Sequence, residues 1–111
     1  MKLDDLTIGQ ARELAALFNT RQVDSKSPWE VGKCYLIRTV TMIQTGRLAA
    51  ITEHELLLEN AAWVADTGRF HDALKTGKLV EVEPFIGPAI IGRGAIVDAT
   101  EWMHALPSDQ K

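Results

Sequence analysis

From Cys34 to Val64 the chain is built from residues that favour extended backbone, and this run constrains the fold more than any other feature. Val, Ile, Thr, Tyr and Met crowd Cys34 to Thr45, a composition suited to a pleated, half-buried surface. Gly46 reads as a turn or bulge, after which Leu48 to Ile51 continues as a second strand. Thr52-Glu53-His54 then reads as a turn, and Glu55 to Val64 as a third strand. Three successive strands of this kind predict a meander that curls into a small SH3-like antiparallel sheet or barrel.

The segments around this run complete a mainly β fold with helical additions, an α+β arrangement. Thr7-Ile8-Gly9-Gln10 has the form of a capping box, and Ile8, Ala11, Leu14, Ala15 and Phe18 follow at helical spacing. A helix is expected over 7–19, stopping at Asn19. Residues 20–32 are polar and carry Ser25, Ser27, Pro28 and Gly32, so they read as a linker loop, with Trp29 anchoring it to the body. Its length exceeds a typical connection, which lets the helix reach either its own body or a neighbouring subunit. Asp66-Thr67-Gly68 breaks the third strand and caps a short inserted helix with Phe70, Ala73 and Leu74 on one face, and Gly77 ends it. Leu79 to Glu83 alternates as a half-buried strand. Ala89–Ile91 and Ala95–Ala99 are two last short strands around Gly92-Arg93-Gly94. The 111 residues read as one domain, 1–111, with its β-rich body at 33–102 and a tail at 103–111.

Charge and cysteine content exclude several functions. A net charge of −3 does not give the basic footprint of a general nucleic-acid binder. No apolar run is long enough to span a membrane, and Met1-Lys2-Leu3-Asp4-Asp5 does not open a signal peptide. Cys34 is the only cysteine, which rules out an internal disulfide or a thiolate zinc cluster and fits synthesis in a reducing cytoplasm.

The chemistry-bearing residues do not assemble into a catalytic pattern along the sequence. Asp66-Thr67-Gly68, with the later Ile90-Ile91-Gly92-Arg93, resembles the motifs of dimeric retropepsin-like aspartic proteases. The interval between Gly68 and Gly92 is too short for the flap and strands such a protease needs, so Asp66 reads as a cap and turn residue. His54, His71 and His104 are scattered and have no metal-ligand spacing. Cys34, at the start of a β run, reads as a small apolar filler. No catalytic residue, metal site or cofactor is expected, and the chain does not read as an enzyme.

Two sets of residues remain as binding candidates. Arg38, Arg47, Arg69 and Arg93 lie nearest the β segments. They line a pocket for an anionic ligand, or they form inter-subunit ion pairs with Glu55, Glu59, Glu81 and Glu83. Gly92-Arg93-Gly94 lets backbone approach a phosphate, or is a plain turn between strands. Phe18, Trp29, Trp63 and Trp102 are the interface candidates, since large aromatics are enriched at binding hot spots. Trp102, beside Met103 near the end of the sequence, is the first choice among them.

The run Tyr35-Leu36-Ile37-Arg38-Thr39-Val40-Thr41, then Thr45-Gly46-Arg47-Leu48, then Leu57 through Phe70 resembles small uncharacterised proteins encoded by tailed phages and prophages. This resemblance covers nearly the whole chain and implies a phage origin. A second resemblance is to the phage Thoeris anti-defence sponge of the first type, which binds a cyclic nucleotide signal and hides it from host immunity. It is carried by Arg38-Thr39, Glu59-Asn60-Ala61, Trp63, the short helix and a late strand near Ala95 to Asp98. With the phage origin that the first resemblance implies, the chain reads as an oligomeric assembly module, a minor structural component of the virion that packs against itself or other phage proteins. The second implies an anti-defence protein that sequesters a nucleotide.

Overall fold

The computed structural model describes residues 27–111. The helix expected over 7–19, with Phe18, and the first part of the linker lie outside the described residues. Six strands, one helix and one 3-10 turn follow in order: β1 (Cys34–Thr39), β2 (Ile43–Ile51), β3 (Glu55–Asp66), α1 (Phe70–Thr76), β4 (Glu81–Pro84), β5 (Ala89–Gly92), the 3-10 turn Arg93–Ala95, and β6 (Ile96–Glu101). They form one antiparallel sheet in the order β4-β3-β2-β1-β6, with β5 pairing the first part of β3 beside β4. The expected mainly antiparallel β architecture with a short inserted helix is present. A closed barrel is not, because β4 and β6 end the hydrogen-bonded path and do not pair with each other.

The first hairpin turn lies earlier than the sequence reading put it. It falls at Val40–Met42, and Gly46 sits inside β2. Thr39 causes the turn: its Oγ1 accepts the N–H groups of Thr41 and Met42 at 3.4 and 3.0 Å. A threonine hydroxyl that captures the following amides turns the chain even within a β-type composition.

Gly46 is needed for a different reason. In β3, Ala62 lies opposite Thr45 and Glu59 opposite Arg47, so β3 carries one extra residue in this interval. Asn60 takes the left-handed conformation there, with φ of 49°. A Cβ on Gly46 would meet Leu58 Cβ at 3.0 Å and Ala61 Cα at 3.3 Å, so the bulge presses on bare backbone.

That extra residue decides which face of the sheet each half of β3 serves. Side chains alternate between faces along a strand. Leu56, Leu58 and Ala61 join Tyr35, Ile37, Leu48, Ala89 and Ile91 in one buried cluster. Past the bulge, Ala62 and Val64 join Leu36, Val82, Ala73, Leu79 and Trp102 in a second. Tyr35 and Ile37 alternate with Leu36 along β1, so the two clusters lie on opposite faces of the sheet.

Helix α1 covers the second cluster with Ala73, Phe70 and Leu74. The Asp66 carboxylate does not cap it. Asp66 Oδ1 accepts the Gly68 N–H at 2.8 Å and shapes the turn before the helix, and the N-cap position is Arg69. Gly77 ends the helix in the left-handed conformation expected of it, with φ of 78°.

Residues 103–111 belong to the packed body. Leu106 packs on the second cluster, and His104 Nε2 lies 2.7 Å from the Leu74 carbonyl near the C-terminal end of α1. Lys111 and Val82 exchange both backbone hydrogen bonds at 2.9 Å, covering part of the edge of β4.

Candidate functional site

Among the described residues the largest groove, about 540 Å³, runs between the sheet and the segment His104–Ser108. Cys34 and Arg47, directly opposite each other on β1 and β2, form part of its floor. Asn60, Phe85, His104 and Ser108 complete its wall. Its size suits a small ligand. Arg47 is half-buried and has no carboxylate within ion-pair distance among the described residues, although Glu59 lies across from it on β3. Of the sequence the groove draws on, only Arg47 was a binding candidate. Asn60 carried a usable signal, since an asparagine inside an apolar strand favours left-handed backbone and marks a bulge. Phe85 and Ser108 reach the groove only through tertiary packing and carry no local signal.

The four arginines are dispersed. Arg47 alone of them lines the largest groove, and Arg38 alone lines a second one at the first hairpin turn. Arg38 grips Asp98 with two hydrogen bonds, Nε to Oδ1 at 2.7 Å and Nη2 to Oδ2, and its guanidinium lies 4.9 Å from the centre of the Phe70 ring. The hydrogen bond from Arg38 holds the Asp98 carboxyl below its ordinary range, and Asp98 in turn raises the Arg38 guanidinium. Arg93 donates to the Thr52 carbonyl at 2.7 Å and so ties the 3-10 turn to the β2–β3 turn. Arg69 is exposed at the start of α1.

The aromatic candidates separate as clearly. Trp29 packs on the first cluster and meets Tyr35 edge to face at 5.0 Å, while the Tyr35 hydroxyl accepts the Glu30 N–H at 2.8 Å. Together they fix the end of the linker to β1. Trp63 is exposed on β3. Trp102 is 3% exposed, inside the second cluster, with Nε1 donating to the Ala105 carbonyl at 3.2 Å. It is a core residue of its own chain, which corrects its reading as the leading interface residue. Its place after a strand gave no hint that residues 104–106 would fold over it.

No hydrogen bond joins a nucleophile to a base in the grooves described. Cys34 and His104 line the same groove, but His104 Nε2 is taken up by Leu74 O. Asp66 is exposed and held in its turn. Among the described residues no three His, Cys, Asp or Glu side chains lie close enough to hold a metal ion, and no helix is long and apolar enough to cross a membrane.

A further groove of about 330 Å³ lies beside β6, lined by Trp29, Tyr35, Ile96, Ala99 and Glu101 among others. Every residue from Val97 to Glu101 is exposed. No family model matches the chain, and no curated protein matches it.

Proposed function

We propose that this protein is a non-enzymatic, phage-encoded assembly module that works as a minor structural component of the virion. The observation that carries this reading is the number of large apolar side chains left exposed on β5, on β6 and on the turns and loops around an open sheet. Ile86, Ile90, Val97, Val40 and Met103 are each more than half exposed. Apolar side chains left in the open are available for contacts with other proteins, and an open sheet edge is a template for pairing with another chain. The resemblance to proteins of tailed phages supplies the virion as the setting. The β1–β6 pairing and the 3-10 turn before β6 support describing the curled part of the sheet as SH3-like.

Mass spectrometry of purified virions tests this reading. The protein is expected among the particle components after stringent washing, and as an oligomer by light scattering when purified alone. Its absence from virions together with a monomeric state at high concentration would overturn the proposal.

One observation favours a second reading. The groove holding Arg47 is large enough for a small anionic molecule, and Arg47 has no acidic partner among the described residues. Under this reading the protein sequesters a cyclic nucleotide signal. Isothermal titration with cyclic nucleotides would separate the two: tight binding lost in Arg47→Ala favours sequestration, and no heat favours assembly alone.

A further inference from the structure

Strand β6 ends the sheet and, among the described residues, pairs only with β1. The Trp102 N–H donates to the Cys34 carbonyl at 2.8 Å, next to the aligned pairs Tyr35–Glu101 and Leu36–Thr100. In an antiparallel ladder, successive residues turn their backbone groups alternately toward and away from the neighbour. Thr100 and Asp98 therefore face β1 as Trp102 does, and Ala99 and Glu101 present their N–H and C=O groups outward. Five consecutive exposed residues, Val97 to Glu101, flank those groups.

We propose that β6 is the surface through which two copies of this chain associate, by antiparallel pairing of β6 with β6 about a two-fold axis at Ala99. This choice of partner rests on the reading of the protein as an assembly module. A two-fold contact requires the edge to complement itself, and the residue pattern of β6 does so in one register. Centred on Ala99, the pairing sets Asp98 against Thr100 and brings Glu101 up to Val97, the extra residue where β6 bulges out of its regular pairing with β1. No acidic residue then faces another. Centred on Asp98, it would set two aspartates face to face, which disfavours pairing. Centred on Thr100, it would shorten the overlap and press Asp98 against Trp102, a residue already buried in the second cluster.

The chosen register also uses the neighbouring groove. Val97 is 63% exposed and offers apolar surface at this edge. Pairing brings it beside Glu101 of the second copy, which lines the groove formed with Trp29 and Tyr35. The small side chain of Ala99 lets the two backbones close at the axis. The Asp98 carboxylate stays bound to Arg38 and Glu101 stays near Lys33, so the pairing strands no unpaired acid at its centre.

Two variants test the pairing by independent routes. Ala99→Pro removes an outward N–H and leaves the β1 ladder its bonds, since proline is tolerated on an edge strand whose N–H faces away from the neighbour. Its association by analytical ultracentrifugation is expected to weaken at least tenfold, with the folded β signal retained. Ala99→Cys in a Cys34→Ser background places two thiols across the axis. Facing α-carbons of a hydrogen-bonded pair lie about 5.5 Å apart, within disulfide reach. Mild oxidation is expected to give a reducible dimer, and Val97→Cys in the same background is expected to give none, because its neighbour is Glu101 of the second copy. If Ala99→Pro does not fold, the cross-link decides alone. Association of the unmodified chain without the Ala99 cross-link would overturn the β6 pairing and leave the assembly reading standing. A monomer at every concentration would overturn both.

Discussion

The imidazole of His104 occupies the space that a side chain on Gly77 would need. A Cβ built on Gly77 falls 2.5 Å from His104 Cγ and 2.7 Å from its Cβ, while His104 Nε2 reaches the Leu74 carbonyl at 2.7 Å. The end of α1 and the segment after β6 are thus fitted to each other. Trp102 stacks edge to face on the same imidazole at 4.9 Å and links this contact to the second cluster.

Gly77→Ala meets two penalties at once, the left-handed backbone and the collision with His104. A loss of about 1–3 kcal/mol of folding stability is expected from chemical denaturation. Adding His104→Gly removes every atom of the collision but not the backbone strain, so the double variant should be less destabilised than the sum of the two single ones. Additive single effects would show that the contact carries no energy.

Trp102→Ala should act on folding. The side chain is buried in the second cluster and anchors residues 104–106 through its indole N–H. Removing a buried aromatic of this size costs about 3–5 kcal/mol. A melting temperature that falls sharply in dilute solution, where association is negligible, checks this. Unchanged folding with weakened association would restore the interface role that the sequence alone had suggested for Trp102.

Periodicity made the strands legible, but it did not reveal how they turn or which way they face. Glu55 to Val64 has an extended composition throughout, and Asn60 breaks its alternation so that one strand serves two clusters. The decisive contact, Leu58 and Ala61 against bare Gly46, lies between residues far apart in sequence. The inserted helix was legible because its stop signal is local: Gly77 terminates an apolar face set by Phe70, Ala73 and Leu74. The largest groove was not, because its wall comes from β3, Phe85 and the 104–108 segment. Residues 103–111, polar and holding a proline, looked like a loose tail. Their packing rests on Leu106, on the two ring contacts of His104 and on backbone bonds at Lys111, none of which a local pattern marks.

Thr45 offers a prediction of the opposite sign. Its side chain is fully buried between Leu36 and Ala62, and its Oγ1 has no hydrogen-bond partner. A buried hydroxyl without a partner gives up its hydration for nothing in return. Thr45→Val keeps the shape and removes the polar atom, so a gain of about 1 kcal/mol is expected from urea unfolding. A loss of similar size would mean that the hydroxyl is satisfied by a bound water.

The Arg38–Asp98 pair sets the expected response to acid. Arg38 lowers the Asp98 carboxyl from its ordinary value of 3.8, first through their hydrogen bond and then through charge. A carboxyl that is more acidic in the folded chain than in the unfolded one stabilises the fold while it is ionised. The contribution is therefore complete above the unfolded value, begins to fall as the pH drops past it, and is gone below the folded value. Arginine stays charged throughout this range, so the carboxyl alone governs the change. Both side chains are well exposed, which makes the effect small and sensitive to salt. Melting temperatures of wild type and Asp98→Asn should differ near neutral pH and converge in acid. The gap should narrow when salt is raised to about 1 M, where screening reaches within a few ångströms. A gap that widened toward low pH would show that the Asp98 carboxyl is not held down by Arg38 in the folded chain.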